Sequence, residues 1–230
     1  MRAEAAARAA LVSPSLLPVA ATLLALAGVR TGETVVDVCC GAGLLTHPLG
    51  AAAGETGRVY GVDADEGLLT YARDRRPSAV RWVRGAPTRL PLAGESAAKV
   101  VCGASHRVAD VPAALAEWAR VLVPGGRVAL CAWGAFADDD AERAVRGVAR
   151  GGAVRMLDLR ALLTEAGLRV QHASEETVAV PFPAAEAYAA WRLSFGGRVA
   201  ATHVKRVAAA LGNGPVVAGA FVRYASALRT

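Results

Sequence analysis

Apolar positions along the chain gather into short runs, and between them lie longer stretches in which apolar residues recur at helical spacing. Runs at residues 34–39, 58–62, 80–83, 99–102 and 127–132 predict strands. Several are almost continuously apolar, Val35-Val36-Asp37-Val38 and Val128-Ala129-Leu130 among them, as expected where a sheet is covered on both faces. Helices are predicted over residues 44–53, 66–74 and 111–122. In the last, Val111, Ala114, Leu115, Trp118 and Leu122 form one apolar stripe. Pro112 suits its first turn, and Pro124-Gly125-Gly126 turns the chain toward the next strand. Downstream, residues 158–166 predict a helix stopped by Gly167, followed by a strand around 169–180, helices over 184–191 and 199–211, and a closing strand over 216–228. This alternation predicts an α/β three-layer sandwich around a mostly parallel sheet of about seven strands.

Residues 16–27 are apolar, Arg2 and Arg8 precede them and Ala25-Leu26-Ala27 ends them, which superficially resembles a signal peptide. Ser13-Pro14 instead reads as a helix cap with proline at the first helical position, and the first strand follows within a few residues. The segment is therefore expected to be a helix packed on the fold. No apolar run reaches the length of a bilayer crossing. A chain of 230 residues suits one domain, residues 1–230, with capping segments at 1–30, 134–156 and 182–215.

Charge and cysteine content narrow the classes. The net charge is +6, but the basic residues are scattered, and only Lys99 and Lys205 are lysines, so no nucleic-acid stripe is evident. The four cysteines, Cys39, Cys40, Cys102 and Cys131, show no CxxC spacing and lie in or beside apolar runs. A reduced, cytoplasmic protein is expected. Asp138-Asp139-Asp140 reads as a solvated helix start, and no metal site is expected.

The chemistry concentrates where the first strand ends. Val35-Val36-Asp37-Val38-Cys39-Cys40-Gly41-Ala42-Gly43 runs from a buried strand through a Gly-x-Gly turn into a helix. Glycines there remove the Cβ atoms that would keep a ligand from the backbone. About twenty residues on, Asp63 closes the second strand, where an acid would meet ribose hydroxyls. A nicotinamide-binding fingerprint wants glycine or alanine at the place of Thr46 and normally lacks the acid Asp37. The balance favours S-adenosylmethionine.

Four motifs then make the likeness specific. Asp37 to Gly43 is similar to D-x-[AG]-C-G-[TSA]-G, and Gly61-Val62-Asp63-Ala64-Asp65-Glu66-Gly67-Leu68-Leu69 to a second-strand segment. Leu90-Pro91-Leu92 is similar to L-P-F/L, and Arg120-Val121-Leu122-Val123-Pro124-Gly125-Gly126-Arg127 to R-V-L-x-P-G-G-x. Together, over residues 18–133, they resemble the class I S-adenosylmethionine-dependent methyltransferases, particularly the small-molecule group related to ubiquinone and menaquinone biosynthesis. The resemblance implies a Rossmann-like fold and a methyl transfer to an O, N or C atom of a small organic acceptor, with S-adenosylhomocysteine as product.

It also implies residue roles. Gly41, Ala42 and Gly43 would line the methionine portion with Asp37 near its cationic end. Cys39 would stand at the turn, and Asp63 and Ala64 at the ribose. Leu68, Ala86 and Pro87 would stand at the adenine, and Gly103 beside the cofactor. Two positions depart from the family: Gly85-Ala86-Pro87 replaces Gly-Asp-Ala, whose acid bonds the adenine amino group, and Lys99 stands where an Asp commonly precedes the fourth strand.

Methyl transfer from a sulfonium is an in-line displacement that positioning alone can accelerate, so no catalytic motif is compulsory. His106, leaving the fourth strand in Cys102-Gly103-Ala104-Ser105-His106-Arg107, is the candidate base. Arg107, Trp133, Phe136 and Trp191 are candidate walls of an acceptor pocket, with ordinary core packing as the alternative for the aromatics. His47, His172 and His203 are taken as structural. A non-methylating protein of the same fold, a cyclase or auxiliary binding protein, is the competing reading that Ala86 and Lys99 motivate. Nucleic-acid methylation is disfavoured because the fourth strand lacks a Pro-Pro-aromatic exit. Neither a membrane nor an obligatory partner chain is indicated, although a homo-oligomer is compatible with the sequence.

Overall fold

The computed structural model describes residues 2–75, 80–136, 139–148, 157–195, 200–212 and 214–230, with the side chains of 2–5, 7, 8, 10–15 and 135 left aside. The chain opens with helix α1 (Arg2–Ala27), then β1 (Thr34–Val38), α2 (Thr46–Ala53), β2 (Arg58–Asp63), α3 (Glu66–Arg75), β3 (Val80–Arg84) and β4 (Ala97–Cys102). A short 3₁₀ turn at Ser105–Arg107 leads to α4 (Val111–Val121), β5 (Leu122–Phe136), α5 (Asp140–Val148) and α6 (Leu159–Glu165). The final elements are β6 (Leu168–Phe182), α7 (Ala185–Ser194), α8 (Ala201–Ala210) and β7 (Val216–Arg229). The seven strands form one sheet in the order β3-β2-β1-β4-β5-β7-β6, parallel except where β7 pairs antiparallel with β5 and β6. This is the Rossmann-like α/β fold expected.

Strand alternation divides the core between the two faces. Val35, Val59, Val101 and Ala129 share one cluster with α1, α2, α7 and α8. Val36, Val62, Val100, Val128 and Leu130 share the other with α4 and α6. Asp37 follows the parity of Val35, so it faces the α2 side from the last turn of a buried strand.

The helix start expected at Ser13-Pro14 is overturned. Helix α1 runs unbroken from Arg2, with Pro14 and Pro18 inside it. The alanine-rich stretch ahead of Ser13 has the highest intrinsic helix preference, and Val19, Leu23 and Ala27 anchor the rest in the core. Leu26 accepts a hydrogen bond from Arg127 (3.0 Å) near the start of β5, while Leu16 covers Gly103 at the end of β4. The residues before Leu16 thus extend past the carboxyl edge of the sheet, by roughly 1.5 Å each.

Elsewhere the predicted elements stand with shifted ends. Helix α2 begins at Thr46 rather than residue 44, because the Gly-rich turn takes two more residues. Strand β5 reaches from Leu122 to Phe136, well beyond 127–132, because β7 pairs with it as far as Phe136. Asp139 caps α5, accepting from the Glu142 amide (2.8 Å), and also accepts from the Gly219 amide (3.1 Å). It is therefore a helix start that also ties α5 to β7. Asp138 and residues 149–156 lie outside the described residues. Among the described residues no helix is long and apolar enough to cross a membrane.

Candidate functional site

The turn after β1 is built around two carboxylates. Cys39 adopts φ 58° and Gly41 φ 54°, so the chain reverses in the left-handed region, and at Cys39 an L side chain bears the strain of roughly 1–2 kcal/mol. A Cβ on Gly41 would meet only Leu68 Cδ1, at 4.0 Å, so this face of the turn is open. Asp63, at the end of β2, accepts from the Gly41 amide through Oδ2 (2.8 Å) and from the Asp65 amide through Oδ1 (2.9 Å).

Asp37 lies beneath that turn, 1% exposed. Its Oδ2 accepts from Thr46 Oγ1 at 2.5 Å, and Oδ1 is buried with no partner among the described residues. Burial pushes this carboxyl up to about 7; the Thr46 bond counteracts the shift and the neighbouring Asp63 charge adds to it. An orphaned buried carboxylate oxygen beside an open turn fits a cationic group of a ligand, which is what the sulfonium nucleotide's ammonium would supply.

Next to the turn opens a broad hollow of about 780 Å³, lined by Ala64, Arg84, Gly85, Ala86, Arg89, Leu90, Pro91 and Leu92. Leu68 stands half-buried on α3, whose first turn Asp65 caps by accepting from the Leu68 amide (3.1 Å). The far wall is held by α4. Trp118 Nε1 donates to the Pro87 carbonyl (2.9 Å), Glu117 accepts from the Leu90 amide (2.7 Å) and Arg120 donates to the Leu92 carbonyl (2.9 Å). Arg120 of the R-V-L motif therefore pins the loop that carries Leu90-Pro91-Leu92. Ala86 is exposed and brings no polar side chain to the hollow. Lys99 is turned to Glu33 instead (3.5 Å).

Other motif glycines owe their identity to packing. A Cβ on Gly43 would lie 2.3 Å from the Trp82 indole and one on Gly61 2.6 Å from it. Trp82, edge-on to His47, fills the space both leave. Gly103 is covered by Leu45, Leu16 and Leu23. Contact with the Cys39 thiol, with burial, pushes Cys102 well above the ordinary thiol range.

The candidate acceptor residues do come together. His106, Arg107, Trp133 and Trp191 line one cavity with Leu16, Gly103, Ala104 and Phe195. Phe136 packs edge-on against Trp191 and Phe195. The enclosed water-accessible space is about 20 Å³, room for one water and no acceptor. His106 stacks on Phe195 at 5.2 Å, and its Nδ1 is sealed without a partner among the described residues. Burial and the adjacent Arg107 charge lower its pKa to about 3, so the imidazole is neutral near pH 7. Arg107 is latched to Ser194 Oγ (3.0 Å). The sequence reading missed the Thr46–Asp37 bond and the wedge role of Trp82; Thr46 was the one signal available, as the hydroxyl where a nicotinamide site has glycine.

Residues 35–126 match the family described as a methyltransferase domain. The chain is 39% identical over 102 residues to a 2-phytyl-1,4-naphtoquinone methyltransferase of Thermosynechococcus vestitus, covering 43% of this chain and 45% of that protein. It is 41% identical over 104 residues to a demethylmenaquinone methyltransferase of Staphylococcus aureus, covering 44% and 43%. The matched part thus spans under half the length of these curated relatives. Among solved structures, a SAM-dependent methyltransferase from Aquifex aeolicus superimposes with a TM-score of 0.62 at 19% identity, over 94% of this chain and 92% of that one. The turn, the hollow and their supports all lie within the segment that matches the methyltransferase domain, and in fold the chain resembles S-adenosylmethionine-dependent methyltransferases.

Proposed function

We propose that this protein transfers a methyl group from S-adenosylmethionine to an O, N or C atom of a small organic acceptor. The observation that carries the reading is the buried Asp37 carboxylate with one unpartnered oxygen, under an open turn bonded to Asp63. In this reading Asp37 faces the ammonium, Asp63 receives the ribose hydroxyls and the hollow beside Leu68 takes the adenine. The bound cofactor supplies an electrophilic methyl on a good leaving group. What remains for the chain is to hold the acceptor in line and exclude water.

The aromatic walls at Trp133, Phe136, Trp191 and Phe195 suit a flat, apolar acceptor, in keeping with the naphthoquinone and menaquinone names of the relatives. His106, neutral and half-buried, would orient or deprotonate an acceptor hydroxyl; at a pKa of about 3 it is a weak base. The four unpaired thiols fit a reducing cytoplasm, and residues 1–230 are taken as one domain because α1 and β7 join the same sheet core.

Calorimetry with S-adenosylmethionine and S-adenosylhomocysteine tests the cofactor, and undetectable binding of both ends the reading. A mass-spectrometric screen of metabolite extracts for a cofactor-dependent gain of one methyl then seeks the acceptor. The non-methylating alternative keeps specific support from Ala86 and from the acceptor cavity of about 20 Å³. Cofactor binding without methylated product from any extract favours it.

A further inference from the structure

We infer that Thr46 is a positioning residue for the cofactor: its hydroxyl orients the buried Asp37 carboxylate and keeps it available to the ligand's ammonium. The inference rests on the cofactor reading above. It goes beyond that reading by assigning a role to a side chain whose hydroxyl is bonded to Asp37.

The geometry confines Asp37 strongly. The carboxylate is 1% exposed and Thr46 is fully buried, so no bulk water reaches either group. The Thr46 Oγ1 to Asp37 Oδ2 bond is the one hydrogen bond that the carboxylate receives among the described residues, and its length of 2.5 Å is that of a hydroxyl donating to an ionised acceptor. Around it, β2 and β4 present Gly61 and Val101 in register with Asp37, neither of them polar. The ionisable neighbours are Asp63 and Cys40. Asp63 disfavours a second negative charge, and the Cys40 thiol is held protonated by burial. His47, next to Thr46 on α2, is turned to Trp82. Thr46 is therefore the group that favours the charged, ammonium-binding form before a ligand arrives, and it does so from the first residue of α2, rigidly placed by Leu49 and Ala53 in the core.

The test uses the full chain and two ligands measured by calorimetry. S-adenosylhomocysteine carries the ammonium; 5′-methylthioadenosine keeps the adenosine and thioether but lacks the amino-acid end. Thr46→Val should weaken S-adenosylhomocysteine roughly ten- to a hundredfold, the scale of a lost hydrogen bond to a charged group. It should leave 5′-methylthioadenosine within about twofold, since that ligand does not meet Asp37. Thr46→Ser should restore S-adenosylhomocysteine binding, and in Thr46→Val the pH midpoint of that binding should move upward. Where Thr46→Val proves too unstable to titrate, Thr46→Ala carries the same expectations. Equal loss of both ligands, failure of serine to rescue, or wild-type affinity in the valine variant overturns the role of Thr46. Wild-type protein that binds neither ligand overturns the cofactor reading and this inference with it.

Discussion

Arg192 and Glu142 meet in a bidentate ion pair inside the protein, with Nε to Oε2 and Nη2 to Oε1 both at 2.7 Å. The pair fastens α7 to α5, and the Arg192 guanidinium also lies 4.1 Å from the Phe136 ring centroid. Since the side chains are only 5% and 9% exposed, neither charge is solvated once its partner goes. Glu142→Gln should destabilise the fold by roughly 3–5 kcal/mol, the range for breaking a buried pair, as read from urea unfolding. The double change Glu142→Leu with Arg192→Met should recover most of that loss, because no charge is then stranded.

Asp63 serves the turn and, in the proposed function, the ligand. Asp63→Ala should weaken S-adenosylhomocysteine at least tenfold in calorimetry, since a hydrogen bond to a charged group contributes roughly 1.5–3 kcal/mol. The far-UV circular dichroism should be unchanged, because the sheet core does not depend on that side chain. Wild-type affinity would remove Asp63 from the ribose site.

His106 makes the protein acid-sensitive. Its folded value of about 3 lies below the ordinary 6.5, so the unfolded chain takes up the proton first as pH falls. The stability it contributes is complete above about pH 6.5 and is lost progressively toward pH 3. Asp37 acts in the opposite sense: its folded value of about 7 lies above 3.8, so its contribution is greatest below about pH 4 and is lost as pH rises toward 7. Comparing urea midpoints at pH 7 and 4.5, His106→Phe should lose less stability than wild type by roughly 1–2 kcal/mol, a figure discounted for the partial exposure of the residue.

The Gly61 position is a steric one. Its missing Cβ leaves the space that Trp82 occupies, with the nearest indole carbon 2.6 Å from where a Cβ would stand. Gly61→Ala should cost roughly 1–3 kcal/mol by overpacking. Adding Trp82→Leu should make the alanine nearly neutral relative to the leucine variant. A double-mutant cycle in urea checks this, and simple additivity would assign the cost elsewhere.

Much of this was legible in the chain because the signals are local. The strand runs, the Gly-x-Gly turn, the acid ending β2 and the Pro-Gly-Gly stop each follow from backbone preferences within a few residues. The helix start at Ser13-Pro14 was misjudged because capping chemistry at Ser13 competed with the alanine-rich run before it, and packing of Val19 and Leu23 favours one continuous helix. The ends of β5 were unreadable for a related reason. Its extension to Phe136 is set by pairing with Ala220, eighty-odd positions away in sequence.

The sequence by itself determined the order of elements, the parity that places Asp37 with Val35, and the Gly-x-Gly turn flanked by two acids. Those follow from periodicity and from residue types that only certain backbone conformations accept. Tertiary structure alone decided that Thr46 bonds Asp37, that Trp82 wedges between two glycines, and that His106, Trp191 and Phe195 close on a space of about 20 Å³. Such contacts depend on how a helix or strand is rotated against the sheet. That rotation is fixed by the packing of the whole core, to which no short stretch of sequence gives access.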